Sequence, residues 1–155
     1  MTWDAFSALV TLLAEEVARD GLPEVIVGIL RGGMVPAVML AHRWGLRVVR
    51  GLDVVHTLAD GVDAAKAPNP VVRDQDSLGD LGGMNVLVVD DVAGSGQTVA
   101  TAREMVAARG ADRVRTLACV VNEANWPPDA EDPAKVLTYL GRRQRGWVIF
   151  PWESP

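Results

Sequence analysis

Two adjacent carboxylates, Asp90 and Asp91, end an apolar run and are followed at once by a loop of glycine and hydroxyl residues. The glycines let the backbone curl so that several amide groups face one point, an arrangement that binds phosphate. A helix after the loop would add the positive end of its dipole, and Ser95 and Thr98 could donate hydroxyl hydrogen bonds. The segment therefore predicts a phosphate cradle made of Ala93, Gly94, Ser95, Gly96, Gln97 and Thr98.

Carboxylates beside a phosphate cradle would repel the ligand unless a cation or sugar hydroxyls lay between them. The pattern therefore predicts a phosphorylated sugar bound with magnesium (Mg2+), with Asp90 and Asp91 as the metal ligands. The alternative is a buried strand that ends in a solvated Asp-Asp turn and a capped helix. The segment lacks the Gly-Lys-Ser/Thr of a Walker loop, and Val99 stands where a dinucleotide-binding pattern has its third glycine.

Hydrophobic periodicity supplies the elements that must position these residues. Apolar residues at spacings of three and four predict an amphipathic first helix that stops at Asp20-Gly21. A short apolar strand ends at Arg31-Gly32-Gly33, and a second helix follows it. The predicted helices cover Trp3–Val17, Val35–Trp44 and Val99–Arg109, and the predicted strands cover Glu24–Leu30, Leu46–Val55, Val86–Val89, Val114–Val121 and Val136–Leu140.

The segment from Thr57 to Gly83 loses periodicity and is rich in Asp, Gly, Pro and Asn. Loops of this length inside a compact domain are usually functional covers or segments without fixed structure. We therefore interpret it as either a mobile cover or a weakly formed hairpin, and we favour the cover. Lys66 and Arg73, its basic residues, are candidates for ligand contacts or for solvated surface charge.

The alternation of strands and helices predicts an α/β fold. We expect a single domain over residues 1–155, with a central, mainly parallel sheet and helices on both faces. In such folds ligands bind beyond the carboxyl ends of the strands. The glycine turns after Leu30 and after Asp91 both belong to that edge.

Composition excludes several classes of partner. The net charge is −5, and the basic residues form no run longer than the cluster at Arg142, Arg143 and Arg145, so nucleic acid is not expected. Cys119 is the only cysteine, which excludes an internal disulfide and a cysteine-pair zinc site and favours the cytoplasm. The acidic residues near the N-terminus are wrong for a signal peptide, and no apolar run is long enough to span a membrane.

The two glycine segments resemble known family motifs. Val86 to Thr98 resembles the phosphoribosyl-pyrophosphate motif of the type I phosphoribosyltransferases: four apolar residues, two acids, then a glycine and hydroxyl loop. Gly28 to Ala37 is similar to the pyrophosphate loop of that family, most closely in the xanthine-guanine enzymes. The resemblance implies catalytic roles for Asp90, Asp91 and Arg31, a pyrophosphate site at the turn, and a cis peptide between Leu30 and Arg31. That site comprises Leu30, Arg31, Gly32 and Gly33, for which a plain tight turn is the alternative.

The C-terminal segment Trp147 to Glu153 is similar to the Trp, Pro-Trp, acid segment of the xanthine-guanine enzymes. The resemblance implies that Trp147 stacks on a nucleobase and that the backbone near Val148 and Glu153 reads the base edge. The alternative is that Trp147 and Trp152 only anchor the tail to the core. The family fold also implies a small hood formed by the two termini.

Two departures from the family pattern concern the base. Gly94 stands where the 6-oxopurine enzymes have an aspartate that handles the purine proton, and the stretch after the next strand lacks the lysine that contacts the purine oxygen. Asn122 could hydrogen-bond there but carries no charge. The choice of base therefore stays open. His56, at the mouth of the long loop, is a further functional candidate.

The resemblance implies an enzyme that transfers the phosphoribosyl group of phosphoribosyl pyrophosphate to a nucleobase, expected to be a purine, through an oxocarbenium-like state. The protein would act by positioning and by neutralising charge. A non-catalytic sensor of the donor or of a nucleotide is the alternative, because of Gly94 and the missing lysine. An unrelated phosphate-binding module is a third reading. Family resemblance also predicts a homo-oligomer, a dimer or larger.

Overall fold

The computed structural model describes residues 1–57 and 66–153, which form a sheet flanked by helices. Residues 58–65 of the predicted cover, and the side chain of Lys66, lie outside the described part. In chain order the elements are α1 (Trp3–Arg19), β1 (Val25–Leu30), α2 (Met34–Trp44), β2 (Val49–Thr57), β3 (Lys66–Arg73), a 3-10 turn (Gln75–Leu78), β4 (Asn85–Ala93), α3 (Gln97–Ala108), β5 (Arg113–Asn122), α4 (Pro133–Val136) and β6 (Tyr139–Gln144).

The sheet has six strands in the order β3-β2-β1-β4-β5-β6. Every neighbouring pair is parallel except β2 and β3, which are antiparallel. From β1 the chain first builds outward through β2 and β3, and it then returns to add β4 on the other side of β1. The strand order therefore reverses between β1 and β4, and a crevice opens at the carboxyl ends of strands where the order reverses. The turns that follow Leu30 and Asp91 border this crevice.

Helices cover both faces of the sheet, as the sequence predicts. One apolar core joins α1 and α2 to sheet residues such as Ile26, Leu87 and Leu117. The other core joins α3 and Leu78 of the 3-10 turn to sheet residues such as Val27 and Val88. Because both faces are buried, β1 and residues 86–89 of β4 are continuous apolar runs rather than alternating ones. Among the described residues no helix has the length and apolarity to cross a bilayer.

The predicted cover over Thr57–Gly83 is wrong for its described part, which contains a strand and a 3-10 turn. The hairpin alternative holds instead, since β3 pairs antiparallel with β2, with Val54 opposite Val72 and a bulge between Val55 and Thr57. Pro68 and Pro70 concealed this strand in the sequence. A proline cannot donate to a neighbouring strand, and β3 tolerates both because it lies at the edge of the sheet.

The last predicted strand begins too early. Pro133–Val136 is a short helix, α4, and the strand runs from Tyr139 to Gln144. Asp132 caps this helix by accepting a hydrogen bond from Ala134 N, and Pro133 occupies the first helical position. A capping acid followed by proline favours a helix start over a strand.

The two ends of the chain pack together, in agreement with the predicted hood. The amino group of Met1 donates to Ile149 O at 2.7 Å. Trp152 stacks on Phe150, with ring centroids 4.6 Å apart, and meets the ring edge of Phe6 on α1 at 4.8 Å. The first helix therefore fixes the position of the tail that follows β6.

Gly33 allows the β1–α2 turn to lie directly against β4. A methyl group added at Gly33 would lie 2.5 Å from Val89 O and 2.7 Å from Ile29 O, which are backbone atoms that cannot move aside. We therefore expect Gly33→Ala to lower the free energy of unfolding by about 2 kcal/mol in chemical denaturation.

The matched control for this substitution is Gly82→Ala, which would contact the flexible side chain of Asp80 at 3.2 Å. That variant should lie within about 0.5 kcal/mol of the wild type. Equal effects of the two substitutions would contradict the conclusion that the backbone of Ile29 and Val89 leaves no room for a side chain at position 33.

Candidate active site

A cavity of about 260 Å³ opens at the carboxyl ends of β1 and β4. It brings together residues from both glycine turns, from the end of β5 and from the C-terminal tail. The predicted site residues that line it are Leu30, Arg31, Gly32, Asp90, Asp91, Ala93, Gly94, Ser95, Gly96, Thr98, Asn122, Trp147, Val148 and Glu153. Gly33 and Gln97 are absent from the lining: Gly33 is buried beneath the turn, and Gln97 begins α3 with an exposed side chain.

The two adjacent carboxylates are buried at the floor of this cavity, inside β4 rather than after it. Asp90 is 6% exposed and Asp91 is 9% exposed. Asp90 Oδ1 accepts a hydrogen bond from Asp91 N at 3.1 Å, and Asp91 Oδ1 accepts one from Val92 N at 2.9 Å. The alternative of a solvated Asp-Asp turn is therefore wrong, because both acids lie in the wall of a cavity.

Burial makes the charged forms of both acids costly. It raises the pKa of Asp90 well above its usual value, and the charge of Asp91 and a hydrogen bond between the two side chains raise it further. Burial also raises the pKa of Asp91, an effect that hydrogen bonds to Asp90 and Val92 partly offset and that Glu153 increases. Two buried acids with raised pKa values are a typical site for a cation.

This arrangement gives the stability of the ligand-free protein a definite pH dependence. A carboxyl group whose folded pKa is raised contributes stability that is present at low pH and is lost as the pH rises through the folded pKa. We therefore expect Asp90→Asn to stabilise the ligand-free protein at pH 7 by about 1 kcal/mol, or about 3 °C in Tm, with the gain disappearing toward pH 4.

Thermal unfolding monitored across that pH range tests this expectation. Asp129→Asn is the control, because Asp129 is exposed in the loop after β5 and its substitution should leave the Tm unchanged. A lower Tm for Asp90→Asn at pH 7 would show that the charged carboxylate stabilises the fold.

The β1–α2 turn lies over the carboxylates. Gly32 packs so closely on Asp91 that an added methyl group would overlap Asp91 Oδ2. The peptide bond between Leu30 and Arg31 is cis, as the family resemblance predicts. Arg31 lines the cavity with an exposed side chain at the mouth of the site.

The loop after β4 leads into α3, whose N-terminus has no hydrogen bond from its backbone N–H groups to a capping side chain. Gly96 is the N-cap of α3, has φ +77°, and provides no side chain to accept from the first turn. The first backbone N–H groups of α3 therefore lack a capping side chain, and a helix start of this kind binds anions. The ring of Trp126 packs against this loop at Gly96, where an added methyl group would lie only 2.8 Å from the Cη2 atom of Trp126.

The structure separates the two tail tryptophans. Trp152 is the anchor, packed among Phe6, Phe150 and Trp3. Trp147 instead lines the cavity with 49% of its surface exposed. The alternative that both rings only anchor the tail is therefore wrong for Trp147, whose flat apolar surface is open to a ligand.

Sequence reasoning missed several residues of the site. Asn125 and Val54 line the cavity, and so does His56, which the sequence offers only as a further candidate. Trp126 also escaped notice, because its contact with Gly96 joins two loops far apart in the chain. The signal that could have found Val54 and His56 is the parallel order of β1 and β2, whose carboxyl ends share one edge of the sheet.

Comparison with known proteins identifies the family. Residues 2–154 match the family described as the phosphoribosyl transferase domain. The chain belongs to this family. It is a phosphoribosyltransferase with the α/β fold of the type I enzymes, as its two glycine motifs predict.

Among curated relatives, this phosphoribosyltransferase is similar to two bacterial xanthine-guanine phosphoribosyltransferases. The one from Roseobacter denitrificans is 30% identical over an alignment of 161 positions that covers 99% of this chain and 84% of the relative. The one from Gluconobacter oxydans is 28% identical over 155 residues, which span 99% of this chain and 83% of the relative.

Solved structures agree with this assignment. A purine phosphoribosyltransferase from Pyrococcus horikoshii superimposes with a TM-score of 0.74 at 30% identity, covering 99% of this chain and 92% of that one. The xanthine-guanine-hypoxanthine phosphoribosyltransferase of Helicobacter pylori has a TM-score of 0.69 at 20% identity, covering 99% and 91%, and it supports the fold alone.

Proposed function

We propose that this phosphoribosyltransferase transfers the 5-phosphoribosyl group of phosphoribosyl pyrophosphate to a ring nitrogen of a purine and releases pyrophosphate. We also propose that residues 1–155 act as one catalytic domain. The observation that carries the proposal is the convergence of Arg31, Asp90, the 94–98 loop and Trp147 on one cavity. The purine is supported by the names of the relatives from Roseobacter denitrificans and Pyrococcus horikoshii.

The 5-phosphate would bind in the loop from Ala93 to Thr98. The uncapped first turn of α3 and the hydroxyls of Ser95 and Thr98 provide donors, and the helix dipole adds positive potential. Phosphate is the ligand of choice for such a loop, because its oxygens accept several backbone hydrogen bonds at once.

Asp90 and Asp91 would hold the ribose hydroxyls and Mg2+. Mg2+ is usually bound through one or two carboxylates together with waters and substrate phosphates, so two buried acids suit it. When bound, Mg2+ would neutralise charge on the pyrophosphate.

The leaving pyrophosphate would lie under the β1–α2 turn. Arg31 offers a guanidinium, and the turn residues Leu30 and Gly32, which line the cavity, offer backbone groups. A side chain at position 32 would overlap the Asp91 carboxylate, so Gly32 would allow the pyrophosphate and ribose sites to adjoin.

The base would stack on Trp147, with its edge facing the backbone near Val148 and Glu153 and the side chain of Asn122. As the bond between C1 of the ribose and pyrophosphate breaks, positive charge develops on the sugar, the ring nitrogen of the base bonds to C1, and that nitrogen releases its proton to solvent. The protein would orient both reactants and stabilise these charges.

Steady-state assays with phosphoribosyl pyrophosphate, Mg2+ and a panel of adenine, hypoxanthine, guanine, xanthine and uracil test the proposal. We expect nucleotide formation with at least one purine, loss of activity with a chelator, and no reaction with uracil. The absence of any nucleotide together with tight binding of the donor would favour the non-catalytic sensor, which none of the relatives described above supports.

Trp147→Ala tests the base site. Loss of the stacking surface should raise the KM for the purine by about tenfold, because stacking on an aromatic ring contributes about 1–3 kcal/mol, and should leave the KM for the donor unchanged. Ile149→Ala is the control, since Ile149 is also about half exposed (47%) but does not line the cavity. Equal effects of the two substitutions, or a change in donor KM alone, would place the base elsewhere.

Assembly and location are further proposals that rest on the sequence. We expect a homo-oligomer, a dimer or larger, from the family resemblance. We expect the protein to work in the cytoplasm, because its single cysteine, Cys119, is buried in β5 and unpaired.

A further inference from the structure

Asn122 has an amide group whose orientation the backbone determines. It is the last residue of β5, it is 6% exposed, and it lines the cavity. Its Oδ1 accepts hydrogen bonds from Ala124 N at 3.1 Å and from Gly146 N at 3.2 Å. A backbone N–H group can only donate, so the side-chain oxygen must face these two groups and the nitrogen must face away from them.

The amide nitrogen of Asn122 is consequently left for a ligand. In the part of the chain that the structure describes, Nδ2 donates no hydrogen bond and is not among the fully buried polar atoms without a partner. The cavity wall therefore contains an uncharged hydrogen-bond donor that cannot turn to present its oxygen without breaking two backbone hydrogen bonds.

The same hydrogen bonds hold this donor beside the base-stacking ring. Gly146 directly precedes Trp147, so the bond from Gly146 N to Asn122 ties the end of β5 to the start of the tail. Two further hydrogen bonds hold the same segments together. Gln144 Nε2 donates to Trp147 O at 3.3 Å, and Glu123 N donates to Gln144 O at 2.9 Å. A flat base stacked on Trp147 would direct its edge toward Asn122.

We propose that Asn122 determines which exocyclic group of the base is accepted, an inference that rests on the proposed base site at Trp147. The Nδ2 group donates to an exocyclic oxygen, whereas an exocyclic amine would meet it donor against donor. The selection is made by hydrogen-bond polarity rather than by charge, because the amide is neutral and its direction is set by Ala124 and Gly146.

Asn122→Asp is the sharpest variant, because aspartate has the same shape and keeps an oxygen for Ala124 N and Gly146 N but replaces the donor with an acceptor. Hypoxanthine and adenine are the substrates to compare, since their exocyclic groups are an oxygen and an amine at the same position. We expect the wild type to prefer hypoxanthine in kcat/KM by tenfold or more, and the variant to lose or invert that preference while its KM for the donor stays within twofold.

Asn125→Asp is the matched control. Asn125 also lines the cavity, and this substitution adds the same negative charge, but the side chain is exposed and has no backbone hydrogen bonds to orient it among the described contacts. The hypoxanthine-to-adenine ratio should therefore stay at the wild-type value. If the hypoxanthine-to-adenine ratio changes equally in both variants, the cause is the added charge. That result would overturn the proposal that Asn122 selects the base by hydrogen-bond polarity.

Binding of product nucleotides to the wild type tests the inference without turnover and without a variant. We expect inosine 5-monophosphate to bind at least tenfold more tightly than adenosine 5-monophosphate or purine riboside 5-monophosphate, which lacks the exocyclic group. Equal binding of the three, or a preference for the amine, would overturn the inference even if the enzyme is active. The expected ranking without turnover would uphold the role of Asn122 and reject the proposed catalysis.

Discussion

The site depends on the close approach of the β1–α2 turn to the carboxylates of β4. Gly32 lies against Asp91, and Gly33 lies against the backbone of Val89, at distances that leave no room for a side chain. The parallel pairing of β1 with β4 sets this approach, because it aligns the carboxyl ends of two strands that are far apart in the chain. A guanidinium, two acids and a loop of glycine and hydroxyl residues thereby share one cavity.

The two buried acids suit the site for a cation, but their charged forms destabilise the folded protein when no ligand is bound. Burial raises the pKa values of Asp90 and Asp91, and the charge of Asp91 raises that of Asp90 further, so their charged forms are stabilised best by a cation or by ligand hydroxyls. Strong packing elsewhere offsets this cost. Apolar cores on both faces of the sheet hold β4 in place, and the tail is anchored through Trp152, which leaves Trp147 free to face the ligand.

The proposed base site departs from the family pattern at two positions, while the fold around it is kept. Gly94 removes an acid, and Asn122 provides a neutral amide where a lysine is expected from the resemblance. The surrounding backbone compensates in part, since Ala124 and Gly146 hold the amide in one orientation. A fixed neutral donor can still discriminate between bases, because an unmatched buried polar group costs free energy.

The sequence by itself determined the strands β1 and β4, their glycine turns and the family, because each depends on residues that are neighbours in the chain. It could not determine β3, whose prolines are acceptable only at a sheet edge, or α4, whose cap at Asp132 overrides the apolar pattern. Only the tertiary structure decided that Trp152 anchors while Trp147 faces the cavity, that Trp126 braces Gly96, and how the amide of Asn122 points. These features are contacts between distant segments, and no local pattern encodes them.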